Sequence, residues 1–389
     1  MENDTLLFAL FLIFTGATAL ATVFLFARQS LLVVYIIAGF IFGSSGLKWI
    51  TDPVIIKEIS HTGIIFLLFL LGINLPANKL VHLVSKTTLI TVSSSLVFSI
   101  SMAAIAMLFG YSTAESLLIG AALMFSSTII GLKLLPTTVL HHRRQGEFII
   151  SILLLQDILA ILVLLLLHAS EKSSFPWQDI IMLFVALIGI CAFAFFAHKY
   201  IIVKLMSRFD RIQEYIFLVT LGWCLGVAQL AASMDLSYEI GAFIAGVAFA
   251  SNPIALFMSE VLKPLRDFFL ILFFFALGAD FDIRVAESVI VPAAILAVFI
   301  LTAKPFTFKF LLQRAGEAPN DSREIGFRLG QASEFSLLIA VLAYDMAIIN
   351  AQASYLIQVC TLITFIASSY VVVLRFPTPV AVSDKLRRD

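Results

Sequence analysis

Thirteen apolar segments follow one another along this chain, and they constrain its fold more than any other feature. A helix of about 20 apolar residues crosses the hydrocarbon core of a bilayer. The chain is 61% hydrophobic and 13% charged, with a mean hydropathy of +1.06, which is more apolar surface than a water-soluble domain can bury. The sequence therefore predicts an all-α polytopic membrane protein with about 13 transmembrane helices. The segments lie at residues 5–27, 30–46, 58–75, 87–110, 114–133, 146–168, 177–200, 213–233, 237–251, 261–279, 287–311, 325–345 and 350–374.

The charges of the loops predict the orientation of these segments. Cytoplasmic loops carry an excess of Lys and Arg. With thirteen spans, 20 of the 25 basic residues fall in one alternate set of loops and four in the other, and Lys304 lies inside a segment. The N-terminus is acidic, unlike that of a secretory signal, so the first apolar segment is expected to remain as a span. This pattern predicts a periplasmic N-terminus and a cytoplasmic C-terminus.

An odd number of spans also allows internal symmetry. Two six-helix halves joined by the seventh span have opposite orientations, and inverted repeats of this kind place an ion site between broken helices at the membrane midplane. Polar residues interrupt the fifth segment at 126–128 and the twelfth at 330–334. We therefore expect two inverted six-helix repeats with broken crossing helices.

Asp157 is the acidic residue that the apolar pattern isolates most strongly. It lies in the run ILLLQDILAILVLLLL at 152–167, about 15 Å into the sixth segment at 1.5 Å per residue. A carboxylate at that depth is costly, and intramembrane acids are typical of ion pathways. Burial penalises the ionised form, so the group is expected to bind either a proton or a monovalent cation. The alternative is a structural pair with a neighbouring helix.

Oxygen atoms close to Asp157 in this reading come from four residues. Gln156 has a neutral carbonyl that can help to dehydrate a cation, or it can hydrogen-bond a neighbouring helix. Ser126, Ser127 and Thr128 offer hydroxyl groups and, in an unwound segment, backbone carbonyls that replace the hydration shell of an alkali cation. Their hydroxyls can instead bond back to the preceding helical turn.

Two further charges lie in apolar segments. Lys304 precedes Pro305 in the eleventh segment, and Glu334 lies near the interruption of the twelfth. We predict that Lys304 pairs with Asp157 or Glu334, although its side chain could also reach the cytoplasmic interface. Glu334 is equally suited to a structural pair and to a direct part in transport.

The three cysteines, Cys191, Cys224 and Cys360, lie in apolar stretches without disulfide or metal spacing, which indicates packing residues. Two GxxxG pairs, Gly39–Gly43 and Gly222–Gly226, suit close helix approach between or within subunits. A membrane enzyme would need a nucleophile–base pair or a metal cluster at membrane depth, and the sequence provides neither.

Six stretches in order resemble the Kef-type potassium/proton antiporters of the monovalent cation:proton antiporter-2 family. They cover the chain from about the second segment to the last. They are SSTIIGLK at 126–133, QDILAI at 156–161, IGAFIAGVAFA at 240–250, LKPLRDFFLILFFFALGADFDI at 262–283, Lys304, and GQASEF at 330–335.

This resemblance implies a core domain that carries the ion, a dimerisation domain, a homodimer, and an elevator-type movement of the core. It places the transported cation at Asp157, with Gln156 and the break at 126–128 beside it. Relatives that move net charge carry two acids at positions 156–157, so the single acid here implies electroneutral exchange. The transported ions are K⁺ or Na⁺ and H⁺, no cofactor is expected, and the location implied is a bacterial inner membrane.

The resemblance has two departures. Kef systems usually continue into a cytoplasmic nucleotide-binding domain, whereas this chain reaches Asp389 after a tail with Pro377 and Pro379 and has no GxGxxG sequence. The loop at 252–267, with Lys263 among few acids, also differs from the acidic loop of glutathione-regulated members. We therefore expect an exchanger domain at 1–376, a cytoplasmic tail at 377–389, and a nucleotide-binding regulator that is separate or missing.

The function that these features favour is K⁺/H⁺ antiport, with Na⁺/H⁺ antiport second. A channel-like cation pathway without proton coupling and a receptor-like membrane subunit without transport remain alternatives. The partners expected are the lipid bilayer and a second copy of the chain, and no nucleic acid.

Overall fold

The computed structural model describes residues 5–26, 31–50, 54–73, 77–128, 131, 144–170, 177–209, 211–234, 236–250 and 254–377. Within these ranges the chain is almost entirely helical and has no β-strand. Short π-helical turns at Leu12–Gly16 and His198–Ile202 each join two consecutive α-helices. The helices are α1 Thr5–Phe11, α2 Ala17–Phe26, α3 Leu31–Phe42, α4 Val54–Ile73, α5 Ala77–Leu108, α6 Thr113–Leu123, α7 Arg144–Ser170, α8 Trp177–Ala197, α9 Val203–Arg208, α10 Gln213–Ser233, α11 Tyr238–Ala250, α12 Ile254–Ala279, α13 Ile283–Arg314, α14 Pro319–Arg328, α15 Glu334–Asp345 and α16 Ala351–Arg375.

The predicted all-α polytopic architecture is confirmed. Every predicted segment contains helix, and in the part of the chain that the structure describes seven helices are long and apolar enough to cross a membrane. Shorter apolar helices account for several other segments, so the count of thirteen spans is not confirmed. The inverted six-helix repeats, the orientation of the termini and the domain boundary at residue 376 remain predictions. Residues 132–143 and the predicted cytoplasmic tail beyond residue 377 lie outside the described residues.

The chain forms two compact units. The first unit comprises residues 1–15, 35–81 and 165–281, and the second comprises 16–34, 82–164 and 282–389. Several helices continue from one unit into the other, so the units are interleaved in sequence. This division agrees with the two domains that the family resemblance implies, and the assignment of one of them to dimerisation remains a prediction.

In the first unit, α4 packs against α11 and α12, and α10 packs against α11. The interior is an apolar cluster that includes Phe69, Cys224 and Phe249. The backbones approach closely where glycines face each other: a Cβ added at Gly246 would lie 2.1 Å from the Phe69 carbonyl oxygen. Small residues at such positions permit helix contacts that larger side chains would prevent.

The second unit is built around α13, which packs against α14 and α16. Two helices of this unit are interrupted where the sequence predicted polar breaks. The first break, residues 124–127, follows α6, and the second break, residues 329–333, separates α14 from α15. The twelfth predicted segment is therefore two helices. Both breaks are buried, so their backbone groups require partners within the protein.

Candidate functional site

In the first break, three consecutive buried residues have a non-helical backbone: Phe125, Ser126 and Ser127. Each of them is hydrogen-bonded to another part of the second unit. The Ser126 hydroxyl donates to the carbonyl oxygen of Leu329 at 2.8 Å, which joins the two breaks directly. Because the segment has left the helix, its carbonyl oxygens are available for such contacts.

The second break is fixed at its C-terminal end by a helix cap. The Ser333 hydroxyl accepts from the Phe335 amide at 3.2 Å, and the Ser333 amide donates to the Ser336 hydroxyl at 3.2 Å. The same Ser336 hydroxyl donates to the carbonyl oxygen of Ala122 at 2.6 Å, near the end of α6. The Ala332 amide donates to the Thr364 hydroxyl of α16 at 3.1 Å. The start of α15 is therefore attached to both α6 and α16.

Lys304 connects both breaks through one ammonium group. Its Nζ donates to the carbonyl oxygen of Phe125 at 2.5 Å and to that of Gln331 at 3.1 Å. Its side chain is fully buried, and Nζ lies 5.5 Å from the centre of the Phe98 ring. A buried cation that donates to backbone carbonyls is partly compensated by their dipoles.

The predicted pairing of Lys304 with a carboxylate is not among the ion pairs of the described residues. Although Lys304, Asp157 and Glu334 all belong to the described part of the second unit, the ammonium group makes its hydrogen bonds to carbonyl oxygens. A charge partner for Lys304 therefore remains a prediction. Lys304 links the two breaks through its hydrogen bonds to the Phe125 and Gln331 carbonyl oxygens.

Asp157 and Gln156, on α7, both contact the end of the first break. The Ser126 amide donates to Gln156 Oε1 at 3.0 Å, and the Thr128 hydroxyl donates to Asp157 Oδ1 at 3.4 Å. The two α7 side chains are only 1% and 2% exposed, so this contact is inside the protein. The structure thus brings together residues about 30 positions apart that the sequence grouped by their chemistry.

One polar atom of each α7 residue has no hydrogen-bond partner among the described residues: Oδ2 of Asp157 and Nε2 of Gln156. A buried carboxylate oxygen without a donor is costly unless a proton or a cation occupies it for part of the time. The arrangement offers an ionisable oxygen beside a non-helical, carbonyl-rich segment, which is the chemistry that a monovalent cation requires.

Glu334 is the first residue of α15 and is 6% exposed. Its carboxylate interacts electrostatically with that of Asp157. A negative charge at the start of a helix is stabilised by the local backbone dipoles, so Glu334 has a structural reason for its position. A part for it in transport remains a prediction.

No group of three or more His, Cys, Asp and Glu side chains is arranged to hold a metal ion within the described residues. Cys224 and Cys360 are buried thiols and Cys191 is an exposed one. The donor atoms that the second unit gathers around Asp157 are therefore oxygens, which suit hard alkali cations.

Sequence analysis missed two contributors to this region. Gln331 was identified only as part of a polar interruption, and Ser368 was not singled out. The Gln331 amide donates to the carbonyl oxygen of Ser127 at 3.4 Å, and its Oε1 accepts from the Ser368 hydroxyl at 3.0 Å. A signal was present in α16, where buried polar residues recur at helical spacing. They are Ser354, Gln358, Thr361, Thr364 and Ser368.

A protein-family model described as "Sodium/hydrogen exchanger, transmembrane" matches residues 9–375 of this chain. The chain belongs to the sodium/hydrogen exchanger family. This membership, together with the relatives below, confirms the predicted Kef-type antiporter membrane domain and, at the level of the family, the predicted class of cation/proton antiporter.

Several curated proteins are similar to this family member over most of its length. "Iron transporter MagA" of Paramagnetospirillum magneticum is 24% identical over 88% of this chain and 79% of its own length. "K(+) efflux antiporter 6" of Arabidopsis thaliana is 27% identical over 93% of this chain, and "K(+) efflux antiporter 5" of the same plant is 26% identical over 87%. The chain spans only 62% and 61% of the lengths of these two plant relatives.

A solved structure, the sodium proton antiporter MjNhaP1 from Methanocaldococcus jannaschii at pH 8, matches this exchanger-family chain with a TM-score of 0.71. The alignment covers 95% of this chain and 96% of that one, at 15% sequence identity. Likeness at this identity shows a shared fold. The family model and the long apolar helices place the chain among multi-pass membrane proteins.

Proposed function

We propose that this chain exchanges K⁺ for H⁺ across a membrane, and that Asp157 binds the two ions in turn. One observation carries the proposal: a buried carboxylate has an oxygen without a described partner, beside a break in a helix. A carboxylate so enclosed is stable when a proton or a cation neutralises it. Because the same oxygen serves both ions, binding of one excludes the other.

The surrounding oxygens are suited to receive a partly dehydrated cation. The break beside Asp157 provides backbone carbonyls, and Thr128 provides a hydroxyl that contacts Oδ1. Carbonyl oxygens can replace the hydration shell of an alkali cation. Gln156 contributes no charge, because its side-chain amide is neutral, and its Oε1 accepts from the Ser126 amide.

One carboxylate that exchanges one proton for one monovalent cation gives electroneutral transport. The second unit then moves only when Asp157 is neutralised, because an ionised side chain is expensive to carry through hydrocarbon. This coupling makes exchange obligatory and distinguishes an antiporter from a channel-like pathway. Glu334 is a fixed charge in this scheme, at the start of α15.

Potassium is the first choice of cation because two relatives are named as K⁺ efflux antiporters. Sodium is the second, since the family model is described as a sodium/hydrogen exchanger and a protein of the same fold is a sodium proton antiporter. Sites for K⁺ and for Na⁺ differ in the size of the cavity and in the placement of the coordinating oxygens.

The assembly that we propose is a homodimer in a bacterial inner membrane, with the N-terminus in the periplasm and the C-terminus in the cytoplasm. The loop charges support this orientation, because 20 of 25 basic residues fall in the loops assigned to the cytoplasm. We expect residues 377–389 to lie in the cytoplasm.

Purified protein reconstituted in liposomes with an internal pH dye tests this function. Addition of K⁺ outside should drive proton efflux from the lumen, at a rate that an imposed voltage leaves unchanged. Asp157→Asn should abolish this exchange, whereas Glu287→Gln, at an exposed acid of α13, should retain it. Exchange that survives in Asp157→Asn would refute the assignment, and cation flux without counter-movement of protons would favour the channel-like alternative.

A further inference from the structure

Among the described residues of the second break, Gln331 makes the most hydrogen bonds to other elements. It is fully buried, and its main-chain carbonyl accepts from Lys304. Its side-chain amide lies between two partners, the carbonyl oxygen of Ser127 in the first break and the Ser368 hydroxyl of α16. It therefore spans from the last long helix to the segment beside Asp157.

The orientation of this amide follows from the chemistry of its partners. A backbone carbonyl oxygen only accepts hydrogen bonds, so Gln331 must turn its NH₂ group towards Ser127. Its Oε1 then points to Ser368, whose hydroxyl can donate. The reversed amide would place two oxygens against each other at Ser127. The Ser127 carbonyl thus selects the orientation in which Gln331 donates, and the Ser368 hydroxyl holds the amide in place by donating to its Oε1.

A neighbouring hydroxyl provides a contrast. Ser369 is buried to the same extent as Ser368, and it donates to the carbonyl oxygen of Phe365 within its own helix at 2.8 Å. That bond satisfies a local group and reaches nothing in either break. The two serines have the same size and burial, and only Ser368 contacts Gln331.

The Ser127 carbonyl belongs to the segment that approaches Asp157, since the next residue, Thr128, donates to that carboxylate. Accepting a hydrogen bond draws electron density from a carbonyl oxygen and fixes its direction. Selectivity among alkali cations depends on the number and field strength of the carbonyl dipoles that coordinate them. A stronger dipole favours the smaller ion, Na⁺ over K⁺.

We propose that Gln331 is a positioning residue that sets the cation preference of the site through the Ser127 carbonyl, with Ser368 holding its amide in place. This inference rests on the proposed function, because it assumes a cation site at Asp157. It adds the residues that tune the site without touching the ion. Lys304 supports the arrangement by holding the Gln331 main chain in place.

The first test is the pair Ser368→Ala and Ser369→Ala in proteoliposomes. Half-saturating concentrations of K⁺, Na⁺ and Rb⁺ for proton efflux give the preference. Loss of one orienting hydrogen bond should change the ratio of K⁺ to Na⁺ half-saturation about fivefold, towards Na⁺. Ser369→Ala should leave the ratio unchanged, and Ser368→Thr, which keeps a hydroxyl, should restore it.

A second variant, Gln331→Met, has a side chain of similar length without a strong donor or acceptor. It should change the ratio in the same direction and by at least as much as Ser368→Ala. Thermal unfolding of the purified variants in K⁺ and in Na⁺ provides a second readout. A merely structural residue would lower the unfolding temperature equally in both salts and leave the ratio of half-saturation unchanged.

Different results would overturn the cation site at Asp157 and the role of Gln331. Exchange that persists in Asp157→Asn removes the site itself. If Asp157→Asn is inactive while Ser368→Ala and Gln331→Met keep the wild-type K⁺ to Na⁺ ratio, the site stands and the assignment of Gln331 is wrong. A ratio that shifts equally in Ser368→Ala and Ser369→Ala would also overturn it, since general loosening of α16 would then be the cause.

Discussion

The interiors of the two units differ in polarity. Among the residues whose burial the structure describes, 28 polar or charged side chains are buried, and 24 of them lie in the second unit against four in the first. The four are His198, Thr220, Ser237 and Glu239. Polar groups are expensive inside a membrane protein and are usually kept where function needs them. We therefore expect the second unit to handle the ion and the first to act as a scaffold.

Backbones approach closely at glycines in both units. A Cβ on Gly278 of the first unit would lie 2.0 Å from the Ile36 carbonyl oxygen. A Cβ at Gly120 of the second unit would lie 2.2 Å from the Ser99 carbonyl oxygen. The units differ in what side chains add at the broken helices. In the second, side chains such as Lys304 and Ser126 bond the carbonyls of broken helices. Carbonyl oxygens outside a helix are available to a cation as well as to these side chains. A unit of the second kind is better suited to bind and release an ion.

The largest effect is expected for Lys304→Met. The variant removes the donor to two buried carbonyl oxygens, those of Phe125 and Gln331, at about 1–3 kcal/mol for each group left without a partner. Thermal unfolding in detergent should show a clear loss of stability. The control is Lys309→Met, on the same helix at a partly exposed position. Equal stability of the two variants would mean that the hydrogen bonds from Lys304 to the two breaks contribute nothing to the stability of the protein.

A smaller effect is expected where the first unit is closely packed. A Cβ at Gly39 would lie 2.0 Å from the carbonyl oxygen of Phe275, a backbone atom that cannot move alone. Gly39→Ala should therefore destabilise the protein by about 1–3 kcal/mol. The apparent K⁺ affinity of the remaining folded protein should be unchanged, as measured by proton efflux.

Gly222→Ala is the matched control for that substitution. Nothing described lies within 4 Å of a Cβ at Gly222, and alanine favours a helix interior more than glycine does, so this variant should be at least as stable as the wild type. If Gly39→Ala changed K⁺ affinity as well as stability, the separation of scaffold and ion-handling units would be wrong.

The smallest effect is expected on removal of a single buried hydroxyl, and it should differ between the two units. Ser333 caps α15 beside the second break, whereas Thr220 only donates to Ile216 one turn earlier in α10. Loss of a helix cap costs about 1 kcal/mol, so Ser333→Ala should lower stability by that amount. Thr220→Val should have little effect. Equal losses, measured by denaturation in detergent, would remove this distinction between the units.

Much of the second unit could be predicted from the sequence. Asp157 and the Ser-Ser-Thr break were identified because isolated polar groups in apolar segments are costly and therefore informative. The GxxxG pattern was less informative: Gly39 faces a neighbouring backbone, but Gly222 does not, although the spacing is the same. Spacing defines a helix face, and the partner of that face depends on tertiary packing.

The contacts of Lys304 and Gln331 could not be predicted for a related reason. Sequence analysis weighed Lys304 against carboxylates because opposite charges attract, but a break in a nearby helix offered carbonyl oxygens. Gln331 reaches Ser127 across more than 200 positions of sequence, a distance at which residue type gives no information on contact. Such partners follow from the way in which the two breaks meet.

A carboxylate for which K⁺ and H⁺ compete must release its proton when it binds K⁺, so proton release on cation binding can be measured directly. K⁺ added to unbuffered, detergent-purified protein should release about one proton per bound K⁺ from the wild type. Its half-saturating concentration should rise as the pH falls. Asp157→Asn should release none. Saturable K⁺ binding to the wild type without proton release would show that K⁺ and H⁺ do not compete for Asp157.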